Sequence, residues 1–183
     1  MVGRYEQISY LLREFKIMHY FPTNIKLDIP VSYIHDFISR NPNGWTQHKS
    51  TVSDRMTSLW YIPLWQNNKL LNKNWNPGIK TSIPKLNHSV ILLKIPANNH
   101  EPPHVDGDKN PRKTAWIFPL SESYAPTRFY ENDNLIDEYA GQMLLNTAKT
   151  HEVCNGEKDR YNLQICFEED IKTVLEEHLD VIF

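Results

Sequence analysis

The sequence predicts a mainly β domain, a sheet sandwich or barrel backed by helices. Two observations predict it. Amphipathic helical spacing is confined to the two ends of the chain. Between them, from about Trp45, short apolar runs alternate with turn residues, as successive strands do. Helices first and then a series of strands fit a sandwich or barrel with helical support.

At 183 residues the chain suits one compact domain. Its expected parts are helical support over about 1–44, a strand core over about 58–168 and a short closing helix over about 169–180. Apolar residues make up 40%, enough for a core, and the net charge of −2 gives no general pull on nucleic acid or an anionic membrane. The N-terminal MVGRYEQISYLLREF lacks the apolar run of a signal peptide, and no segment has the length of a membrane span. A cytoplasmic protein is the expectation. Cys154 and Cys166 make no disulfide framework and read as free thiols in a reducing compartment.

Arg4 to Tyr20 places Tyr5, Ile8, Leu11, Leu12, Phe15 and Met18 on one helical stripe. Pro30 to Ser39 reads as a second helix, with Pro30 at its first position, Val31, Ile34, Phe37 and Ile38 inward, and Asn41-Pro42-Asn43-Gly44 as its stop. Strands are expected at Ser58–Trp65, Ser89–Pro96, Thr114–Leu120, Thr127–Glu131, Gln142–Thr147 and Arg160–Glu168. Trp116 and Phe118 share a strand face and are expected in the core. The polar stretch Gln66–Gly78 reads as a surface loop, with a mobile flap as the second reading, and its flanking Trp65 and Trp75 as packing residues. Asp170–Leu179 carries Ile171, Val174, Leu175 and His178 on one side and closes the chain as a helix.

The chemistry concentrates in HEPPHVDGD, His100 to Asp108. Histidines four apart converge on a metal only across a helical turn. Pro102 and Pro103 fill that gap, removing amide donors and pushing the preceding residues out of the helical region. The spacing His104-x-Asp106 needs an extended backbone instead, in which alternate residues face the same side. An imidazole and a carboxylate then form two corners of a metal site, and a third ligand is required.

Further along, Asn155-Gly156 is a strong two-residue hairpin signal. With those two residues as the turn, His151 pairs with Arg160 and faces the same side of the sheet. In the following strand Arg160, Asn162 and Gln164 alternate with Tyr161, Leu163, Ile165 and Phe167. The apolar face suits the helices. The polar face suits either solvent or an interior that holds something charged.

His104-x-Asp106, His151 and Arg160 together resemble the HxD…H…R signature of the Fe(II)- and 2-oxoglutarate-dependent oxygenases. The resemblance covers about Ser89 to Phe167, and the NT-x-x-x-HxV-x-N ending is similar to the aspartyl/asparaginyl and prolyl hydroxylase-type members. It implies a double-stranded β-helix, a cupin-like jelly-roll barrel. It implies that His104, Asp106 and His151 hold Fe(II), and that Arg160 grips the distal carboxylate of 2-oxoglutarate through a bidentate fork. Asn162 stands where many members carry a serine, and its amide can still donate to a carboxylate. Thr114, Lys94 and Asn146 are the options for a further cosubstrate contact from an earlier strand. The implied activity uses O2 to hydroxylate an unactivated C–H bond of an amino-acid side chain, free or in a peptide or protein, or of a related small metabolite, releasing succinate and CO2. Two other readings stay open: a cupin-type metal dioxygenase or isomerase that does not use 2-oxoglutarate, and a non-catalytic barrel binding domain.

Overall fold

The computed structural model describes residues 18–24, 29–49, 56–66, 69–75, 88–106, 112–121 and 125–182. In chain order the described elements are β1 (Tyr20–Pro22), α1 (Val31–Arg40), β2 (Thr46–Lys49), β3 (Met56–Gln66), β4 (Lys69–Leu70), β5 (His88–Ile95), β6 (Glu101–His104), β7 (Thr114–Pro119), β8 (Thr127–Glu131), β9 (Asn134–Tyr139), β10 (Met143–Asn146), β11 (His151–Val153), β12 (Arg160–Phe167) and α2 (Ile171–Ile182). All six expected strands are present. Of the expected helix over Arg4–Tyr20, residues 4–17 lie outside the described ones, and Tyr20 belongs to a strand. Among the described residues no helix is long and apolar enough to cross a membrane.

The strands form two antiparallel sheets. The major sheet runs β1-β10-β7-β12-β5-β3-β2, with β4 beside β3, and the minor sheet runs β6-β11-β8-β9. Consecutive strands from β5 to β12 alternate between sheets in the double-stranded β-helix manner, and the β8–β9 hairpin lies wholly in the minor sheet. The two sheets face each other without closing into a barrel. Phe129 of β8 packs with Ala115, Ile117, Met143, Leu145 and Cys166 of the major sheet. Phe129 has no exposed surface and stacks on Tyr20 at 4.5 Å between ring centroids. Phe129→Ala is expected to cost about 3–5 kcal/mol of stability by opening a cavity between the sheets; chemical denaturation with coincident optical probes measures it.

The outer face of the major sheet carries the larger core. Leu163, Ile165 and Phe167 of β12 pack there with Ile34 and Phe37 of α1 and Ile171, Val174 and Leu175 of α2, which is the helix seat that the β12 alternation predicts. Ile34 and Phe37 are buried as expected, but Val31, the first residue of α1, is 47% exposed. Trp75 is core, edge-on to Tyr33 and Phe37. Trp116 and Phe118 also belong to this outer core.

The Asn155-Gly156 hairpin does not form. β11 and β12 belong to different sheets, and residues 154–159 carry the chain from one to the other. A type I′ turn needs positive φ at its first central residue, and Asn155 is not among the non-glycine residues that adopt it. Its side-chain amide instead donates to the carbonyls of Ile95, Pro96 and Lys158, tying the crossing to the end of β5. The positive-φ pair is Asn132-Asp133, at 47° and 64°, which turns β8 into β9.

Candidate metal centre

β6 is an edge strand of the minor sheet, where two prolines are tolerated because one side needs no amide donors. That extended backbone sets His104 directly opposite His151 of β11. Directly opposed residues share a sheet face, and the two rings lie 4.5 Å apart between centroids at 49°. Asp106 lies just past the end of β6, with Oδ1 at 3.6 Å from His104 Nε2 and 3.8 Å from His151 Nε2. One ligand atom from each of the three residues falls within a 4.8 Å cluster. Ligands about 2.1 Å from a shared ion lie no more than about 4.2 Å apart, so both carboxylate–imidazole spacings suit one metal.

The tautomers suit it too. His104 Nδ1 faces its own-strand Pro102 carbonyl at 2.7 Å, and His151 Nδ1 faces the Lys149 carbonyl at 2.9 Å. A carbonyl only accepts, so each Nδ1 carries the proton and each Nε2 presents its lone pair to the metal position. Burial pushes the His151 imidazole below its ordinary pKa and neighbouring His104 adds to that, against the opposing pull of Asp106. The neutral form is the one that binds metal.

Arg160 is 1% exposed and opens β12. The alternation of β12 puts it, with Asn162, Gln164 and Cys166, on the face turned to the minor sheet. Its Nη1 donates to the carbonyls of Ala125 and Cys154 at 2.9 and 2.6 Å, and its Nη2 donates to Thr127 Oγ1 at 3.1 Å. Thr127 pairs with Val153, two residues from His151. Thr127, which the guanidinium contacts, thus lies one same-face row, about 7 Å along the strand, from Phe129, the residue opposite His151. Asn162 is buried beside it, and its Oδ1 has no hydrogen-bond partner. A buried polar atom left so is costly unless a ligand completes it.

The three options for an earlier-strand contact fall elsewhere. Thr114 pairs with Phe167 and so shares the outer face, where its hydroxyl donates to the Glu169 carbonyl. Lys94 also faces outward and pairs with Asp159 at 2.8 Å. Asn146 donates to the Met18 carbonyl and accepts from the Ala148 amide, building the turn before β11. A side chain that does meet Arg160 is Thr127, placed there by the pairing of β8 with β11.

Sequence reasoning also missed Arg112. Its Nη1 lies 3.4 Å from the buried Cys166 sulfur on the interior face. That sulfur and the Asp106 carboxylate hold the guanidinium above its ordinary pKa against the effect of burial. Both cysteines are free; Cys166 is buried, but Cys154 is only half-buried.

A double-stranded β-helix carrying a two-histidine, one-carboxylate cluster on its minor sheet is the class that this architecture defines. Solved structures share the fold. A prolyl-4-hydroxylase from Pseudomonas putida superposes with a TM-score of 0.56 at 12% identity, covering 88% of this chain and 99% of its own. An oxidoreductase of the 2OG-Fe(II) oxygenase family from Burkholderia pseudomallei gives 0.54 at 8% identity, covering 89% and 92%. No family model matches the chain, and no curated protein matches it.

Proposed function

We propose that this protein is an Fe(II)- and 2-oxoglutarate-dependent dioxygenase that hydroxylates a C–H bond of an amino-acid side chain, free or within a peptide or protein, or of a related small metabolite. The observation that carries the reading is the presentation of two Nε2 atoms and one carboxylate at a single point, with a buried arginine against Thr127 of the adjoining strand. Two histidines and one carboxylate with open positions suit non-haem Fe(II). Bound iron and cosubstrate would supply oxygen activation coupled to decarboxylation of 2-oxoglutarate to succinate.

The chain's own residues do the rest. His104, Asp106 and His151 would hold the iron. Arg160 offers a permanent charge and a planar fork to the distal carboxylate of a dicarboxylate, and the Thr127 hydroxyl lies against it; the unpartnered Asn162 Oδ1 is an acceptor and serves no carboxylate. Ile95 and Leu93, opposite Arg160 and Asn162 on β5, are buried and keep that end of the interior apolar.

A second reading has support in the contacts of Arg160. Two backbone carbonyls and a threonine hydroxyl already engage it, which fits a structural arginine in a metal enzyme that does not use 2-oxoglutarate. Anaerobic titration with Fe(II) and then 2-oxoglutarate separates the two. The dioxygenase reading expects a weak visible charge-transfer band that appears only when both are present. Iron binding without that band selects the second reading, and an absence of iron binding removes both.

A further inference from the structure

Asp106 sits two residues beyond the last residue of β6, where the strand ladder no longer holds the backbone. Its amide donates to the Thr147 carbonyl at 3.0 Å. Thr147 is 2% exposed, and both of its other polar groups reach the segment that leads into β7. Its amide donates to the Lys113 carbonyl at 3.0 Å and its hydroxyl to the Arg112 carbonyl at 3.0 Å. The same turn carries the Lys149 carbonyl that orients His151 through Nδ1. Asn146 shapes that turn: its carbonyl accepts from the Lys149 amide at 3.1 Å and its Oδ1 from the Ala148 amide at 3.2 Å. One short turn, running on from the end of β10, thus touches both Asp106 and His151, and a buried threonine ties it to the segment before β7.

We propose that Thr147 is a positioning residue for the metal centre: its hydroxyl locks the 146–150 turn against the Arg112 carbonyl, and that lock sets both the backbone of Asp106 and the ring of His151. Thr147 touches neither metal nor substrate. It acts through the register of the turn, as outer-shell partners of metal ligands do. A misplaced turn moves the carboxylate and one imidazole together, so the donor geometry at the metal changes even where all three ligands survive. The inference rests on the metal-centre reading above but not on 2-oxoglutarate.

The test uses Co(II), whose visible d–d bands report coordination geometry without any turnover. The full-length protein, Thr147→Val and Thr147→Ser are each titrated with Co(II), well below their thermal midpoints. Valine keeps the volume and removes the hydroxyl; serine keeps the hydroxyl. Thr147→Val is expected to bind Co(II) about 10–100-fold more weakly with shifted bands, and Thr147→Ser to restore both affinity and spectrum. If Thr147→Val does not fold, Thr147→Ala takes its place, with the same expectation. A hydroxyl-free variant with the parent affinity and spectrum overturns the proposal and leaves the metal centre standing. Equal loss in the serine variant also overturns it, because a retained hydroxyl would then fail to hold the turn and any change at this buried site would produce the same loss. Failure of the parent protein to bind Co(II) overturns the metal-centre reading itself, and the positioning role falls with it.

Discussion

Replacing Asp106 with asparagine or alanine is expected to remove tight metal binding while leaving the fold in place. The carboxylate is the only anionic group of the described three-residue cluster, and Fe(II) carries two positive charges that neutral imidazoles do not offset. Its loss should exceed the roughly 10–100-fold effect of outer-shell partners. The side chain is half-buried at the mouth of the sheet pair, so little packing is lost with it. The electrostatics rule out an indirect explanation. Asp106 favours the charged form of His151, so its removal makes that imidazole more readily neutral, which on its own would favour metal uptake. Weaker binding in Asp106→Asn therefore reports the lost ligand and not a protonated histidine. Iron content after reconstitution and desalting, with a thermal midpoint as control, measures the effect; unchanged content rules this carboxylate out as a ligand.

How much of this centre was legible in the sequence follows from where each residue's face is encoded. Pro102-Pro103 excluded a helix and so chose His104-x-Asp106 over His100-x-x-x-His104, and the structure has β6 extended there. β12 alternates polar and apolar along most of its length, so the shared face of Arg160 and Asn162 can be read locally, while whether that face meets solvent or an interior cannot. β7 offers no such parity. It is a central strand buried on both faces, from Thr114 through Phe118, and nothing in its own residues says which side meets the minor sheet. Thr114 therefore reads equally well on either face, and it lies on the outer one. At Asn146 an amide at the end of a strand can serve a ligand or cap a turn, and here the turn takes it. The Asn155-Gly156 signal was genuine turn chemistry, but the same residues serve a crossing between sheets, and the competing carbonyls of β5 lie some sixty residues away in sequence. The exposed strand β9 carried neither an apolar run nor alternation, because solvent meets most of it on both faces.

Arg160 is the residue on which the choice of cosubstrate turns, and two substitutions there separate its two roles. Arg160→Leu removes the charge and leaves the Ala125 and Cys154 carbonyls and the Thr127 hydroxyl without their donor. An unmet buried acceptor costs about 1–3 kcal/mol, so a drop in stability of at least that order is expected even without any ligand. Arg160→Lys keeps the charge and can still serve a carbonyl, but it loses the planar fork that takes a carboxylate through two parallel hydrogen bonds. One charged hydrogen bond is worth about 1.5–3 kcal/mol, or about 10–100-fold in affinity. The lysine variant should therefore keep the parent's Fe(II) affinity while its 2-oxoglutarate affinity, read from the anaerobic visible band, falls by that factor, and the leucine variant should show no band. Wild-type 2-oxoglutarate affinity in the lysine variant would mean that the fork does not hold the cosubstrate. Iron loss in parallel with stability loss in both variants would mean that this guanidinium braces the crossing between sheets and nothing more, and the enzyme would then belong to the metal chemistry that needs no dicarboxylate partner.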